Sequence, residues 1–166
     1  RKDMINFKNK GALSIAYAAV IAAVYVVLTL IFAPISYGPI QVRVSEALCV
    51  LPIFTPAAVP GIFIGCLLAN ALGGAIIWDV VFGSLASLAA AYISYLFRSK
   101  RVLAYLSPIV INALVVPFVL KYAYGAADLI WYMMFTVAAG EIISVGILGS
   151  ILSIVLEKYR GILFRE

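Results

Sequence analysis

Six consecutive residues, Gln41-Val-Arg-Val-Ser-Glu46, set an amide, a guanidinium and a carboxylate between two long apolar stretches. Two further acids, Asp79 and Glu141, and two further amides, Asn70 and Asn112, stand in similarly apolar surroundings. A charged acid at the centre of a membrane helix costs about 2.5–3.5 kcal/mol, so such groups are kept where they pair or bind. Carboxylates accept hydrogen bonds, while guanidinium and amide nitrogens donate them. Three acids with one arginine suit a donor-rich or cationic small molecule better than an anion. The chain has no histidine, which removes the usual general base and the commonest zinc ligand. Cys49 and Cys66 both lie in apolar runs without paired spacing and read as small buried hydrophobes, and no metal site is expected.

The elements that position these residues follow from composition. The 166 residues are 66% hydrophobic and 11% charged, with a mean hydropathy of +1.15. An average soluble domain carries roughly 25% charged residues. A helical bundle solvated by lipid accommodates this much apolar surface, and the expected class is an all-α integral membrane protein of one domain, 1–166. The first apolar run is too long for the core of a cleavable leader and reads as a span.

A span needs about 20 apolar residues to cross about 30 Å of hydrocarbon. Six are expected, at about 13–33, 45–55, 60–73, 79–97, 102–121 and 129–156. Pro34 and Pro39 end the first, and Tyr37-Gly38-Pro39 reads as a turn. Pro52, Pro56 and Pro60 cannot share one regular helix, so the second and third spans are short, with a tight turn from Thr55 to Pro60 between them. Short or interrupted spans in transporters often line a site at depth. Pro108 and Pro117 are expected to kink the fifth span, and the sixth is long enough to require a tilt, a break or a surface start.

With six spans both termini share a side. That side carries ten basic residues: Arg1, Lys2, Lys8, Lys10, Arg98, Lys100, Arg101, Lys158, Arg160 and Arg165. Arg43 and Lys121 fall on the other. The positive-inside rule makes the basic face, and both termini, cytoplasmic. This asymmetry accounts for the net charge of +5 and the pI near 9.3 without a nucleic-acid partner.

Glu46, Asp79, Asn70 and Arg43 then fall toward the outer face, with Asn112 and Glu141 deeper. Simpler roles compete with binding. Asp79 suits an N-cap of the fourth helix. Trp78, Trp131 and Tyr37 suit interfacial anchors. Asn112 suits an interhelical strut, and Glu46 suits a partner for Arg43. Glu141 resists such a reading, because no basic residue is near it in sequence. Ala12, Ala16, Ala19 and Ala23 recur at i, i+4, i+7 and i+11, with Ala18 and Ala22 beside them. Such a small-residue face serves close helix packing, either inside the bundle or against another membrane subunit. Gly61-xxx-Gly65 and Ala86-xxx-Ala90 suit packing inside the bundle.

Six short helices, an alanine face on the first helix and a polar outer pocket resemble the substrate-binding S component of an energy-coupling factor (ECF) transporter. Ala33-Pro-Ile-Ser-Tyr-Gly-Pro-Ile-Gln-Val-Arg-Val-Ser-Glu-Ala-Leu48, Gly61-Ile-Phe-Ile-Gly-Cys-Leu-Leu-Ala-Asn70 and Asp79-Val-Val-Phe-Gly-Ser-Leu-Ala-Ser87 are similar to the QueT family within that group. The resemblance implies no enzyme activity. It implies capture, at the membrane of a bacterial cell, of a queuosine precursor: 7-aminomethyl-7-deazaguanine or a related deazapurine. It also implies a transmembrane coupling (T) subunit that docks on the alanine face. Two cytoplasmic ATPase subunits would use the ATP, with no cofactor in this chain.

A deazaguanine offers adjacent N–H donors that one carboxylate accepts in a bidentate manner, a carbonyl that needs a donor, and a ring that stacks on aromatic faces. Its ammonium arm asks for a second carboxylate. Tyr37, Gln41, Arg43, Glu46, Asn70, Trp78, Asp79, Asn112 and Glu141 are the expected binding residues, with Glu141 or Glu46 at the pairing edge and Trp78 and Tyr37 as platforms. The segment from Tyr37 to Arg43 is expected to close over the site. Two other classes remain compatible with the residues. One is a stand-alone ion-coupled carrier using the acids as a relay. The other is a structural membrane subunit, against which the polar cluster argues. An S component for another vitamin-like molecule is a further alternative.

Overall fold

A computed structural model describes residues 2–36 and 41–164, with side chains from Lys10 onward. Among these residues every regular element is helical. The order is α1 (Lys2–Ile31), α2 (Ala33–Ser36), a 3-10 helix (Val44–Ile53), α3 (Ala58–Leu72), α4 (Ile77–Leu96), α5 (Arg101–Tyr122) and α6 (Ile130–Glu141). A π-helical segment (Ile142–Leu148), α7 (Gly149–Lys158) and α8 (Arg160–Leu163) complete it. Tyr37 and Pro39 lie outside the described residues, as do Arg1 and Arg165.

Four helical stretches are long and apolar enough to cross a bilayer: Lys10–Ile31, Ile77–Leu96, Arg101–Tyr122 and Ile130–Lys158. Most of their surface is unburied by the protein itself, and Ile15, Val102, Trp131 and Ile154 are among the apolar side chains left outward. This is a multi-pass membrane protein. The two remaining apolar helices are short. The 3-10 helix, with 10 residues, extends about 20 Å, and α3, with 15 residues, about 22 Å.

The 3-10 helix is the hub. It touches α1, α3, α4, α5, the π segment and α7, and every residue from Ser45 to Ile53 is buried. A 3-10 run rarely exceeds three or four residues because its hydrogen bonds are poorly aligned. Here the surrounding helices hold it, and Pro52, which would disrupt a longer α-helix, is accommodated near its end.

Helix α1 approaches α3 through two glycines. A Cβ on Gly65 would lie 2.7 Å from the Tyr25 Cβ and 3.1 Å from the Ala22 Cα, and one on Gly61 would lie 2.9 Å from the Ala18 carbonyl. The face of α1 turned inward therefore carries Ala18, Ile21, Ala22 and Tyr25. Ala12, Ala16, Ala19 and Ala23 are exposed on the other side, so internal packing does not explain that stripe. Ala86 and Ala90 are buried, and Ser107 of α5 donates to the Ala90 carbonyl at 2.9 Å.

Several local expectations change. Pro60 does not belong to a turn but sits in the first helical turn of α3, where a missing N–H costs little. The fifth expected span is the single helix α5, which contains both Pro108 and Pro117, each buried. The last span runs without a break from Ile130 to Lys158, and its helical pitch changes at Ile142–Leu148. Helix α4 starts at Ile77, so Asp79 lies inside the first turn and Ile76 takes the capping position without a side-chain bond.

Candidate functional site

Gln41, Arg43, Gly83, Ser87, Asn112, Val116, Val137 and Glu141 line one enclosed cavity. Four elements supply it. Residues 41–43 enter as extended chain before the 3-10 helix, with Arg43 at φ −92° and ψ 102°. In extended chain alternate side chains share a side, which brings Gln41 and Arg43 to the same wall. Helix α4 contributes Gly83 and Ser87, four residues apart, and α5 contributes Asn112 and Val116 at the same spacing. Val137 and Glu141 form the equivalent pair on α6. Residues four apart on a helix share a face.

Glu141 closes the last α-helical turn before the π segment. Short π-helical stretches occur frequently at functional sites. Asn112 Nδ2 donates to Glu141 Oε1 at 3.0 Å. Glu141 is 4% exposed, and its Oε2 has no hydrogen-bond partner among the described residues. An unmet buried oxygen of this kind costs about 1–3 kcal/mol, more when charged. The extended segment comes close because residue 140 is glycine. A Cβ there would lie 2.3 Å from the Gln41 carbonyl oxygen.

Glu46 is placed differently. It is 1% exposed and takes both its bonds from the core: the Tyr25 hydroxyl donates to Oε1, and the Cys49 thiol donates to Oε2 at 2.9 Å. Next to it, Thr29 donates to Ser45 Oγ at 2.7 Å. This cluster joins α1 to the 3-10 helix, and Glu46 is not among the cavity-lining residues.

Asn70 and Asp79 form a third group bordering Gly83. Asn70 Nδ2 lies 3.5 Å from the Asp79 carbonyl and 3.6 Å from Cys66 Sγ, and Asn70 Oδ1 is buried without a partner among the described residues. Ser87 donates to the same sulfur at 3.3 Å. A Cβ on Gly83 would come within 3.1 Å of Asn70 Nδ2 and Asp79 Oδ1. The Tyr124 hydroxyl donates to Asp79 Oδ2 at 2.9 Å and accepts the Ile76 N–H at 3.2 Å. Burial pushes the Tyr124 phenol above its ordinary value, so it remains a donor at neutral pH.

Of the nine residues expected from sequence, the cavity wall brings together Gln41, Arg43, Asn112 and Glu141. Asn70 and Asp79 stand behind Gly83, and Glu46 is tied into the core. Trp78 points elsewhere. It is 57% exposed, stacks on Phe82 with ring centroids 6.0 Å apart, and lines a separate apolar groove of about 470 Å3 with Leu114, Phe118 and Tyr122. Tyr37 lies outside the described residues. Gly83, Ser87, Val116 and Val137 were not anticipated. Each stands one or two helical turns from an expected residue, so a four-residue step from Asp79, Asn112 and Glu141 finds them.

The cavity has only about 10 Å3 of space wide enough to admit a water. That is room for roughly one water molecule. Among the described residues its walls carry no aromatic ring, and its apolar faces are Val116 and Val137. No group of histidine, cysteine or acidic residues fit to hold a metal occurs among the described residues, and both cysteines are free thiols.

These features define a multi-pass helical membrane protein with acids and amides gathered around a small buried cavity. A family model described as "QueT transporter" matches residues 15–158, and the chain belongs to that transporter family. It is 39% identical over 84 residues to the "Queuosine precursor transporter QueT" of Lactococcus lactis subsp. cremoris (strain MG1363), an alignment covering 49% of this chain and 48% of that protein. The match thus spans about half the length of this curated relative. No solved structure matches the chain.

Proposed function

We propose that this chain is the substrate-capturing S component of an ECF transporter and that it binds a queuosine precursor, 7-aminomethyl-7-deazaguanine or a close deazapurine. The observation that carries this reading is the arrangement at Glu141: one oxygen fixed by Asn112, the other buried and unmet, on the wall of an enclosed cavity. Such a carboxylate accepts two parallel N–H donors, and the ring N–H and amino group of a deazaguanine supply them. Family membership and the named function of the Lactococcus relative support the same substrate class.

The remaining contacts follow from position. With Glu46 engaged by Tyr25 and Cys49, Asp79 is the second carboxylate for the ammonium arm, reached past Gly83. Gln41 and Ser87 face the ligand carbonyl. Val116 and Val137 clamp the flat ring, taking the part that aromatic stacking was expected to play. The cavity is too narrow for a heterocycle as it stands, so the 41–43 segment lifts off Gly140 to admit the ligand and closes behind it.

In this reading the chain crosses the membrane six times as a single domain, with the 3-10 helix and α3 as short crossings, and both termini are cytoplasmic. The exposed Ala12, Ala16, Ala19 and Ala23 dock a coupling subunit, and two partner ATPases supply the energy. Uptake of labelled precursor by a host lacking its own transporter tests this. Cells expressing this chain alone should bind the ligand without accumulating it, and accumulation should appear when the coupling and ATPase subunits are added. Accumulation by the chain alone, abolished by collapsing the ion gradient, would establish a stand-alone carrier instead.

A further inference from the structure

A second cleft, of about 380 Å3, opens at the end of the bundle remote from Asp79, where α4 meets α5. Its walls include Arg98, Arg101 and Arg160, with Ser99, Thr55 and Tyr95 between them. The guanidiniums are held in place. Arg98 lies 4.3 Å above the Tyr95 ring and donates to the Tyr95 carbonyl at 3.1 Å. Arg160 lies 5.7 Å over the Phe54 ring. Its short helix α8 is anchored by Phe164, which stacks on Phe54 at 5.5 Å and meets Tyr17 at 6.3 Å. Arg101 pairs with Glu157 at 2.7 Å, and Arg160 reaches the same carboxylate at 3.5 Å. Arg101 and Arg160 thus share one acid, while Arg98 is held by Tyr95, so three guanidiniums face a single carboxylate.

Its depth matters as much as its charge. Helix α4 ends at Leu96 and α5 begins at Arg101, so the arginines stand where two spans leave the hydrocarbon. Phe97, Val102 and Ile162, next to them in the chain, are exposed apolar residues. A planar guanidinium binds phosphate in a bidentate manner, and stacking on a ring leaves its N–H edge free to do so. Basic pockets between helices at a membrane face are suited to anionic headgroups.

We propose that this cleft is a binding site for the phosphodiester headgroup of an anionic phospholipid, with the acyl chains running along the apolar surface beside Val102 and Ile162. The site is independent of the cavity at Glu141 and of the transport reading.

Native mass spectrometry of the detergent-purified full chain, doped with equal phosphatidylglycerol and phosphatidylcholine, tests it. The wild type should retain one phosphatidylglycerol selectively. Arg98→Gln and Arg160→Gln should each lower that preference about fivefold, the size of one lost charge near the headgroup. Glu157→Gln removes the competing acid and should raise it, a direction that mere damage to the fold does not produce. Lys121→Gln, at the other end of the bundle, should leave it unchanged. Equal retention of the two lipids, or a preference insensitive to the arginine substitutions, overturns the proposal. Displacement of the lipid by millimolar inorganic phosphate would reassign the cleft to a free anion and overturn it equally.

Discussion

Asn112 on α5 donates to Glu141 Oε1 on α6 across 3.0 Å, while the buried Glu141 Oε2 accepts no hydrogen bond from the described residues. The amide fixes one half of the carboxylate and leaves the other half available. Asn112 is the interhelical strut its sequence context suggests, and in the proposed function it is also a positioning residue. Asn112→Ala should lower precursor affinity about tenfold, or roughly 1.4 kcal/mol, in calorimetric titration. Asn112→Asp sets a second acid against Glu141 and should cost more. Unchanged affinity in both variants would show that Glu141 needs no orientation.

Glu46 and Glu141 should separate stability from binding. Tyr25→Phe leaves a buried Glu46 oxygen without its donor and should destabilise the protein by about 1–3 kcal/mol, seen as a lower Tm in detergent. Its affinity for the precursor, corrected for the folded fraction, should stay within about threefold, since roughly 0.7 kcal/mol is the most a distant contact should transmit. A larger affinity loss than stability loss would put Glu46 in the ligand site.

The division between Glu46 and Glu141 was not legible in the sequence, which placed both acids in one site, and particular residues show where legibility ends. Glu141 stands out because nothing basic lies near it in the chain. Gln41 and Arg43 stand out because they set polar groups between two long apolar stretches. Trp78 misleads: it adjoins Asp79 in sequence, but neighbouring residues on a helix point about 100° apart, so both cannot face one cavity. Glu46 misleads for another reason. Its partners Tyr25 and Cys49 look like ordinary core residues, and only folding brings α1 against the 3-10 helix. Three prolines signal a break between 52 and 60 but not the 3-10 pitch before it. The π segment after Glu141 has no proline or cap to announce it. The four long spans are visible from hydropathy alone.

At Gly140 the extended segment lies against the α6 backbone. Gly140→Ala places a methyl group 2.3 Å from the Gln41 carbonyl oxygen, a backbone atom that cannot swing away. The 41–43 segment must be displaced, and ligand affinity should fall by about tenfold or more, with faster dissociation in stopped-flow measurements. Gly83→Ala meets the Asn70 and Asp79 side chains at 3.1 Å and should have a smaller effect. The reverse ranking would contradict closure of the site by this segment.

The two faces of α1 should respond oppositely to added bulk. Ala19→Leu with Ala23→Leu enlarges the exposed stripe and should abolish coupled uptake while leaving ligand binding and Tm unchanged. Ala22→Leu drives a side chain against Gly65 and should cost about 1–3 kcal/mol of stability. Coupled uptake unaffected by the Ala19 and Ala23 substitutions would remove the docking role of the stripe.

The most direct measurement is calorimetric titration of the purified protein and its Glu141→Gln variant with 7-aminomethyl-7-deazaguanine, with adenine as control. The wild type should bind the deazaguanine saturably and ignore adenine, which lacks the paired ring N–H and amino donors. Glu141→Gln, a near-isostere with one acceptor replaced by a donor, should lose at least about a hundredfold in affinity, roughly 2.7 kcal/mol, with Tm unchanged or raised. Wild-type affinity in the variant, or equal binding of adenine, would contradict recognition of the purine edge by Glu141.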